Sequence, residues 1–162
     1  MRGSPWIVPV LALCLLLGAC GGDEAASNGD ANDAVTAAQP TKEQLVQTLR
    51  DLLAAIEAQD YEKAATFLVP LPGMEPEELP EALQSLVERR ELSAPGIDIL
   101  AKEGAFGEMD DLFGERGWSW AKRAGVEHNE CWALTFDDAE VAAHWDGEAF
   151  RLIRLDDVGK LK

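Results

Sequence analysis

Hydrophobic and polar positions along the chain follow three patterns, and each pattern predicts a different kind of segment. From Trp6 to Leu17 the chain is almost wholly apolar, but this run is shorter than the roughly 20 apolar residues that a membrane-spanning helix needs. From Thr41 onwards apolar residues recur every three or four positions, which is typical of amphipathic helices. From Cys131 onwards they alternate with polar residues, which predicts strands.

The helical part is predicted to contain several elements. Thr41 as N-cap with Gln44 three residues later predicts a capping box at the start of the first helix. The apolar face of that helix consists of Leu45, Leu49, Leu52, Leu53 and Ile56. Asp60 predicts the cap of a second helix, a third helix follows Pro80, and "SAPG" ends it. Glycines interrupt residues 97–125, so we expect short kinked helices there, ending in "WSWAKRAG".

The strand pattern predicts a hairpin near the end of the sequence. "AEVAAHW" and "EAFRLIRL" flank Asp146-Gly147, a dipeptide that favours a tight hairpin turn. A two-residue turn pairs Trp145 with Glu148. The predicted fold class is therefore α+β, with N-terminal helices packed on a C-terminal antiparallel β-meander of about three or more strands.

The apolar run at the start ends in Leu17-Gly18-Ala19-Cys20, and Arg2 precedes it. A basic start, a short apolar core and small residues at the end describe a secretory signal peptide. The final four residues resemble the lipobox of bacterial lipoproteins. This resemblance implies that Cys20 receives a diacylglyceryl thioether, that cleavage occurs before it, and that the new amino group is acylated. The alternative is an ordinary signal peptide with a chance cysteine.

Three segments follow from this reading. Residues 1–19 are the predicted lipoprotein signal peptide. Residues 20–40 are the lipidated cysteine and a flexible, disordered tether, because they carry four acids, no basic residue and little apolar surface to bury. Residues 41–162 form the small globular α+β domain.

Several acyl chains hold a protein on a membrane essentially permanently. We therefore expect a lipid-anchored location in the bacterial cell envelope, with the membrane as a partner through Cys20. In some Gram-negative bacteria an aspartate after the lipidated cysteine favours inner-membrane retention. Gly21 stands there instead, which favours the periplasmic face of the outer membrane.

The charge of the chain excludes one class of partner. The whole sequence carries −16, and residues 41–162 hold 26 acidic against 13 basic residues, a net charge of −13. Such a surface repels phosphates, so nucleic-acid binding is not expected. The acidity serves either solubility alone or an acidic binding face.

The cysteines leave a single thiol in the domain. Cys14 departs with the signal peptide and Cys20 carries lipid, so Cys131 has no partner for an internal disulfide. His128 and Cys131 are three residues apart and are weak candidates for metal ligands, although a site needs three or four. The alternative is a loop histidine beside a buried cysteine. No cofactor is expected.

His144 is the candidate for catalysis. A histidine suits general-base chemistry because its pKa lies near neutrality. Asp137, Asp138 and Glu140 are the acids near it in sequence. The alternative is an ordinary cross-strand contact with Arg151.

Trp118 and Trp120 are candidates for a binding surface, together with Lys122 and Arg123. On a strand the two indoles share a face and form an aromatic platform. On a helix they point about 200° apart. The alternative is that at least one of them belongs to the core.

The segment "AIEAQDYEKAATFL", which joins the first two helices, resembles the opening of the NTF2-like (cystatin-like) superfamily. The resemblance implies a cavity between helices and a curved sheet, usually of four or more strands. Such cavities serve catalysis in some members and binding in others, so the fold does not decide the function.

These observations predict a non-catalytic binding or interaction module in the envelope, whose partner is an envelope protein or a small ligand. The chain has no P-loop, dinucleotide fingerprint, nucleophile elbow or zinc-protease helix. Two alternatives remain open: a small NTF2-like cavity enzyme that uses a histidine–carboxylate pair, and a structural subunit of an envelope assembly.

Overall fold

The structure is a computed structural model, and it describes residues 39–70, 73, 77–89 and 91–162. The predicted signal peptide, Cys20 and almost all of the tether lie outside these residues. The α-helices are α1 (Lys42–Glu57), α2 (Tyr61–Thr66), α3 (Leu79–Glu88), α4 (Ala94–Glu103), α5 (Met109–Phe113) and α6 (Glu115–Ala124). The strands are β1 (Ala105–Glu108), β2 (Cys131–Phe136), β3 (Ala139–Trp145) and β4 (Phe150–Asp156). Two 3₁₀ turns are His128–Glu130 and Val158–Lys160.

Helix α1 begins at the predicted capping box. The Thr41 hydroxyl accepts a hydrogen bond from the Gln44 N–H at 3.3 Å, and the Gln44 side chain accepts one from the Thr41 N–H at 2.8 Å. Two N–H groups that a helix start leaves unpaired are thereby satisfied. The predicted apolar face is buried, and its members are Leu45, Leu49, Leu52, Leu53 and Ile56.

The "SAPG" tetrapeptide lies beyond the end of α3 and also begins α4. The Ser93 hydroxyl accepts a hydrogen bond from the Gly96 N–H at 3.3 Å. Pro95 stands in the first turn, where a helix does not need the missing N–H. Gly96 touches the Val158–Lys160 turn so closely that an added Cβ would lie 1.7 Å from the Val158 carbonyl oxygen.

The sheet is an antiparallel meander of four strands in the order β1-β2-β3-β4. The sequence predicts β2, β3 and β4, but it predicts only short helices where β1 is found. This short strand pairs Phe106 with Leu134, and the Phe106 ring stacks on Trp132 with centroids 5.2 Å apart. Four residues containing a glycine are too few to show an alternating pattern, so the position of β1 depends on its partner strand.

The predicted two-residue turn of the last hairpin is wrong. Trp145 pairs with Phe150 instead of Glu148, and the Asp146 N–H donates to the Ala149 carbonyl at 3.2 Å. The Asp146 side chain favours this longer loop because it accepts hydrogen bonds from the N–H groups of Glu148 and Ala149, at 3.1 and 2.8 Å. The register moves by two positions, so the same side chains remain on the core face.

The pairing of β3 with β4 contains a bulge. Ala143 pairs with Leu152, whereas Ala142 pairs with Arg154, so Ile153 is an extra residue in β4. A bulge places two residues of one strand opposite one residue of the other. Ile153 packs against the α5–α6 side, and the Arg154 guanidinium lies over the Trp120 ring of α6.

Helices cover both faces of the sheet. Helices α1 to α4 pack on the face that carries Leu134, Val141 and Phe150. Helices α5 and α6 pack on the other face, against Cys131 and Ala133. The α+β prediction is confirmed, and the second helical layer is an addition to it. That layer places α6 next to the start of β2, where several of the candidate residues lie.

Candidate functional site

Helix α6 carries both predicted platform tryptophans, but on different sides. Trp118 is 50% exposed, whereas Trp120 is 8% exposed. The Trp120 ring packs edge-on against Phe113 at 5.0 Å and lies under the Arg154 guanidinium at 4.5 Å. Residues two apart on a helix point about 200° apart, so a shared platform cannot form. Trp120 is therefore a core residue, as in the alternative that at least one of the two belongs to the core, and Trp118 remains as the accessible indole.

Trp118 belongs to a cluster that three elements bring together. Its ring lies beside the His128 ring, with centroids 5.2 Å apart and planes tilted by 36°. His128 Nδ1 is 2.9 Å from Asp110 Oδ2, so the carboxylate fixes the orientation of the imidazole. Helix α6 supplies Trp118, the 3₁₀ turn supplies His128 and α5 supplies Asp110. We call these three residues the Trp118 patch.

The two basic candidates take different positions on α6. Lys122 is one turn beyond Trp118 and is exposed, so it borders the Trp118 patch. Arg123 is five residues beyond Trp118, which places it about 140° around the helix. Its Nε donates a hydrogen bond to the Ser119 carbonyl at 3.2 Å. The predicted basic pair is therefore divided, and only Lys122 is beside the patch.

Cys131 is buried at the start of β2, 1% exposed. Its thiol donates a hydrogen bond to the Glu127 carbonyl at 3.2 Å. Burial, followed by the negative charges of Asp110 and Glu130, raises the pKa of the Cys131 thiol to about 12. The thiol therefore stays protonated at neutral pH, which disfavours both nucleophilic and metal-binding roles because each needs the thiolate.

The weak metal candidates take separate partners. His128 faces Asp110, while the Cys131 thiol faces a backbone carbonyl. Within the described residues, no three histidine, cysteine, aspartate or glutamate side chains are arranged to hold a metal ion. Only the three-residue spacing of His128 and Cys131 in the sequence had suggested a shared metal site.

His144 pairs with an acid that the sequence reasoning missed. Its Nε2 lies 3.0 Å from Glu130 Oε2, and its side chain is 16% exposed. The strand register explains the pair, because Cys131 stands opposite His144 and Glu130 directly precedes Cys131. The acids nearer in sequence are not its partner: Glu140 pairs with Arg116 at 3.0 Å. Only the β2–β3 register could have identified Glu130.

A second aromatic cluster, also missed from the sequence, lies at the edge of the larger core. Phe106 stacks on Trp132 and meets Phe150 edge-on at 6.3 Å. Trp145 meets Phe150 at 4.9 Å. Trp132 and Trp145 are half-buried and pack against the margin of that core.

An open groove of about 300 Å³ lies between α1 and α4. Its lining includes Leu53 and Ile97, and an ion pair between Arg50 and Asp98, 2.9 Å long, lies across it. Both charged side chains are largely exposed. Neither histidine belongs to the lining, so the groove is separate from the histidine–carboxylate pairs.

Comparison of the chain with protein-family models, curated proteins and solved structures gives no match. Among the described residues, no helix is both long enough and apolar enough to span a bilayer.

Proposed function

We propose that this chain is a lipid-anchored protein of the bacterial envelope and that its domain is a non-catalytic binding module. The lipobox-like Leu17-Gly18-Ala19-Cys20 supports the anchor. Gly21 favours the periplasmic face of the outer membrane in a Gram-negative host. The acidic tether after Cys20 gives the domain room to reach partners away from the membrane surface.

The binding function is carried by one observation: Trp118 leaves half of a large indole in water, while Trp120 on the same helix is buried. Tryptophan is among the residues that contribute most to binding at protein interfaces. The Asp110–His128 pair supports one side of the indole. Because His128 packs beside the indole, part of the ring is held before a partner binds, and less side-chain entropy is lost on binding.

Substitution of the lipidated cysteine tests the anchor. We expect Cys20→Ser to move the protein from the membrane fraction to the soluble fraction in its host. Cys14→Ser is the matched control, because Cys14 is removed with the predicted signal peptide and its loss leaves fractionation unchanged. A Cys20→Ser protein that stays on the membrane, or mass spectrometry that finds Cys20 unmodified in the wild type, contradicts the anchor.

Substitution of the indole tests the binding function. The full mature protein, solubilised from the envelope in a non-ionic detergent, is used to capture partners. We expect Trp118→Ala to lose a partner that the wild type retains. Phe136→Ala is the matched control, because Phe136 is also an exposed aromatic, at 37%. Identical capture by the two variants and the wild type refutes a role for Trp118.

An enzymatic function is the second candidate, and the His144–Glu130 pair favours it. A carboxylate beside a histidine orients the ring for general-base chemistry. In that case His144→Ala abolishes a measured turnover while Trp118→Ala retains it. Under the binding function, His144→Ala leaves folding and partner capture intact.

A further inference from the structure

We propose that the Trp118 patch binds a cationic segment of a partner protein, in which an arginine or lysine side chain lies on the exposed indole. This inference rests on the proposed binding function and names the chemical class of its partner. Its two supports are the geometry of the indole and the distribution of charge around it.

The geometry suits a planar cation. His128 is beside the Trp118 ring at 5.2 Å, and half of the Trp118 side chain remains accessible. A guanidinium or ammonium placed over an indole face is attracted by the ring quadrupole, and tryptophan is the strongest of the aromatic side chains in this role. The flat guanidinium of arginine also stacks on the ring.

Carboxylates outnumber cations around the Trp118 patch. Glu115 is three residues before Trp118 on the same helix, and Glu127 directly precedes His128; both are exposed. Asp110 adds a third carboxylate through its contact with His128. Lys122 is the cation that borders the patch.

The charge of the whole domain acts in the same direction. Residues 41–162 carry −13, which attracts a cationic partner at long range and repels an anionic one. An anionic bilayer is therefore repelled by the domain. The observations therefore favour a basic protein segment over a lipid surface as the occupant of the patch.

The test measures binding of a fluorescently labelled hexaarginine peptide to the mature protein in non-ionic detergent, by anisotropy in 150 mM salt. We expect Trp118→Ala to weaken binding about threefold to fivefold, the range of an exposed cation–π contact. Glu115→Gln should weaken it about twofold, because one attractive charge is lost. Phe136→Ala should leave the affinity unchanged, and Lys122→Ala should strengthen binding or leave it unchanged.

Several outcomes overturn the inference. Equal weakening by Trp118→Ala and Phe136→Ala shows that the peptide does not bind specifically at Trp118. Weaker binding of hexaarginine to Lys122→Ala contradicts the expected electrostatic effect of Lys122 at the patch. A Trp118→Ala defect on vesicles of phosphatidylcholine and phosphatidylglycerol, without a defect for the peptide, indicates a membrane contact.

The experiments also separate this inference from the function on which it rests. If Trp118→Ala loses a captured envelope protein but binds hexaarginine like the wild type, the binding function stands and the cationic partner is wrong. If Trp118→Ala changes neither measurement, both proposals fail.

Discussion

Cys131 illustrates how neighbouring groups limit the chemistry of one residue. Its thiol is buried, donates to the Glu127 carbonyl and has a pKa raised to about 12. Because the thiolate is the form that reacts with alkylating reagents, we expect native Cys131 to react with iodoacetamide at pH 8 at least about a hundredfold more slowly than in the denatured protein.

A mass-spectrometric time course measures this difference. The expected product carries one label in denaturant and almost none in the native state over the same period. Equal native and denatured rates would show that the thiol is accessible. A second label in denaturant would show that Cys20 carries a free thiol, which is a separate finding about the anchor.

The roles of single residues were predictable to different extents. The burial of Cys131 comes from the α5–α6 layer, because Cys131 lies on the face of β2 opposite Leu134. The acid that pairs with His144 could not be predicted, because Glu130 is distant in sequence and only the β2–β3 register brings the two together. The separation of Trp118 from Trp120 follows from the helix that the sequence predicts at "WSWAKRAG", because residues two apart on a helix point about 200° apart.

The loop between β3 and β4 shows how one side chain determines the geometry of an element. Asp146 accepts hydrogen bonds from two N–H groups of the loop and from Arg151 Nε at 3.1 Å. The N–H of Ala149 is the main cause of the lowered Asp146 pKa, and the N–H of Glu148 and the Arg151 side chain add to it. The ionised carboxylate is thus the form that stabilises the hairpin.

This lowered pKa predicts a pH-dependent effect of Asp146→Ala. The carboxylate stabilises the folded state above its ordinary pKa of 3.8, and the stabilisation is lost as the pH falls through the lower folded-state value. We expect the substitution to cost about 1 kcal/mol of unfolding free energy at pH 7, and less than this at pH 3.

Urea unfolding at both pH values checks the Asp146 prediction. Asp138→Ala, in the turn between β2 and β3, is the matched control and should have a small effect at each pH. A cost for Asp146→Ala that is equal at pH 7 and pH 3 would show that the hydrogen bonds of the ionised carboxylate do not stabilise the hairpin.

At the level of elements, the sequence predicted those with strong periodicity or clear caps. Helix α1 has both, and the structure confirms its capping box and its buried face. Strand β1 has neither, since it has four residues, one of them Gly107. The hairpin between β3 and β4 was located correctly, but its loop length was not, because the Asp-Gly pattern does not include the side-chain hydrogen bonds of Asp146.

On the scale of the whole molecule, one glycine allows two segments that are far apart in sequence to pack closely against each other. Gly96 in α4 lies against the Val158 backbone, and an added Cβ would be 1.7 Å from its carbonyl oxygen and 2.6 Å from its carbonyl carbon. Alanine stabilises a helix by about 1 kcal/mol relative to glycine. The clash is with backbone atoms, which cannot rotate away as a side chain can.

We therefore expect Gly96→Ala to lower the unfolding free energy by more than about 2 kcal/mol, despite the gain in helix propensity. Gly107→Ala, in β1, is the matched control, because its Cβ would meet only the Leu112 side chain, at an ordinary contact distance of 3.8 Å. We expect Gly107→Ala to change stability by less than about 1 kcal/mol. Chemical denaturation of both variants makes the comparison, and a stable Gly96→Ala protein would contradict the close contact.

The overall architecture was predictable as a class but not in its layers. Helices before strands indicated α+β, while the packing of α5 and α6 on the second face of the sheet had no periodic signal. Gly114 and Gly117 weaken the helical pattern in this part of the sequence, so the pattern does not identify α5 and α6 clearly. The candidate Trp118 patch lies in this second layer. The sequence named Trp118 and His128 for different roles, but it neither placed them together nor identified Asp110.

The extra residue in β4 has a consequence for how this strand can change length during evolution. Ile153 is the extra residue between Leu152, which pairs with Ala143, and Arg154, which pairs with Ala142. Loss of Ile153 therefore restores ordinary alternation and leaves Arg154 and Leu155 on their present faces. Deletion of a residue from the regular part of the strand would move every residue beyond it to the opposite face of the sheet. Chains descended from a common ancestor can therefore differ in length by one residue at this position and still bury the same side chains on each face of the sheet.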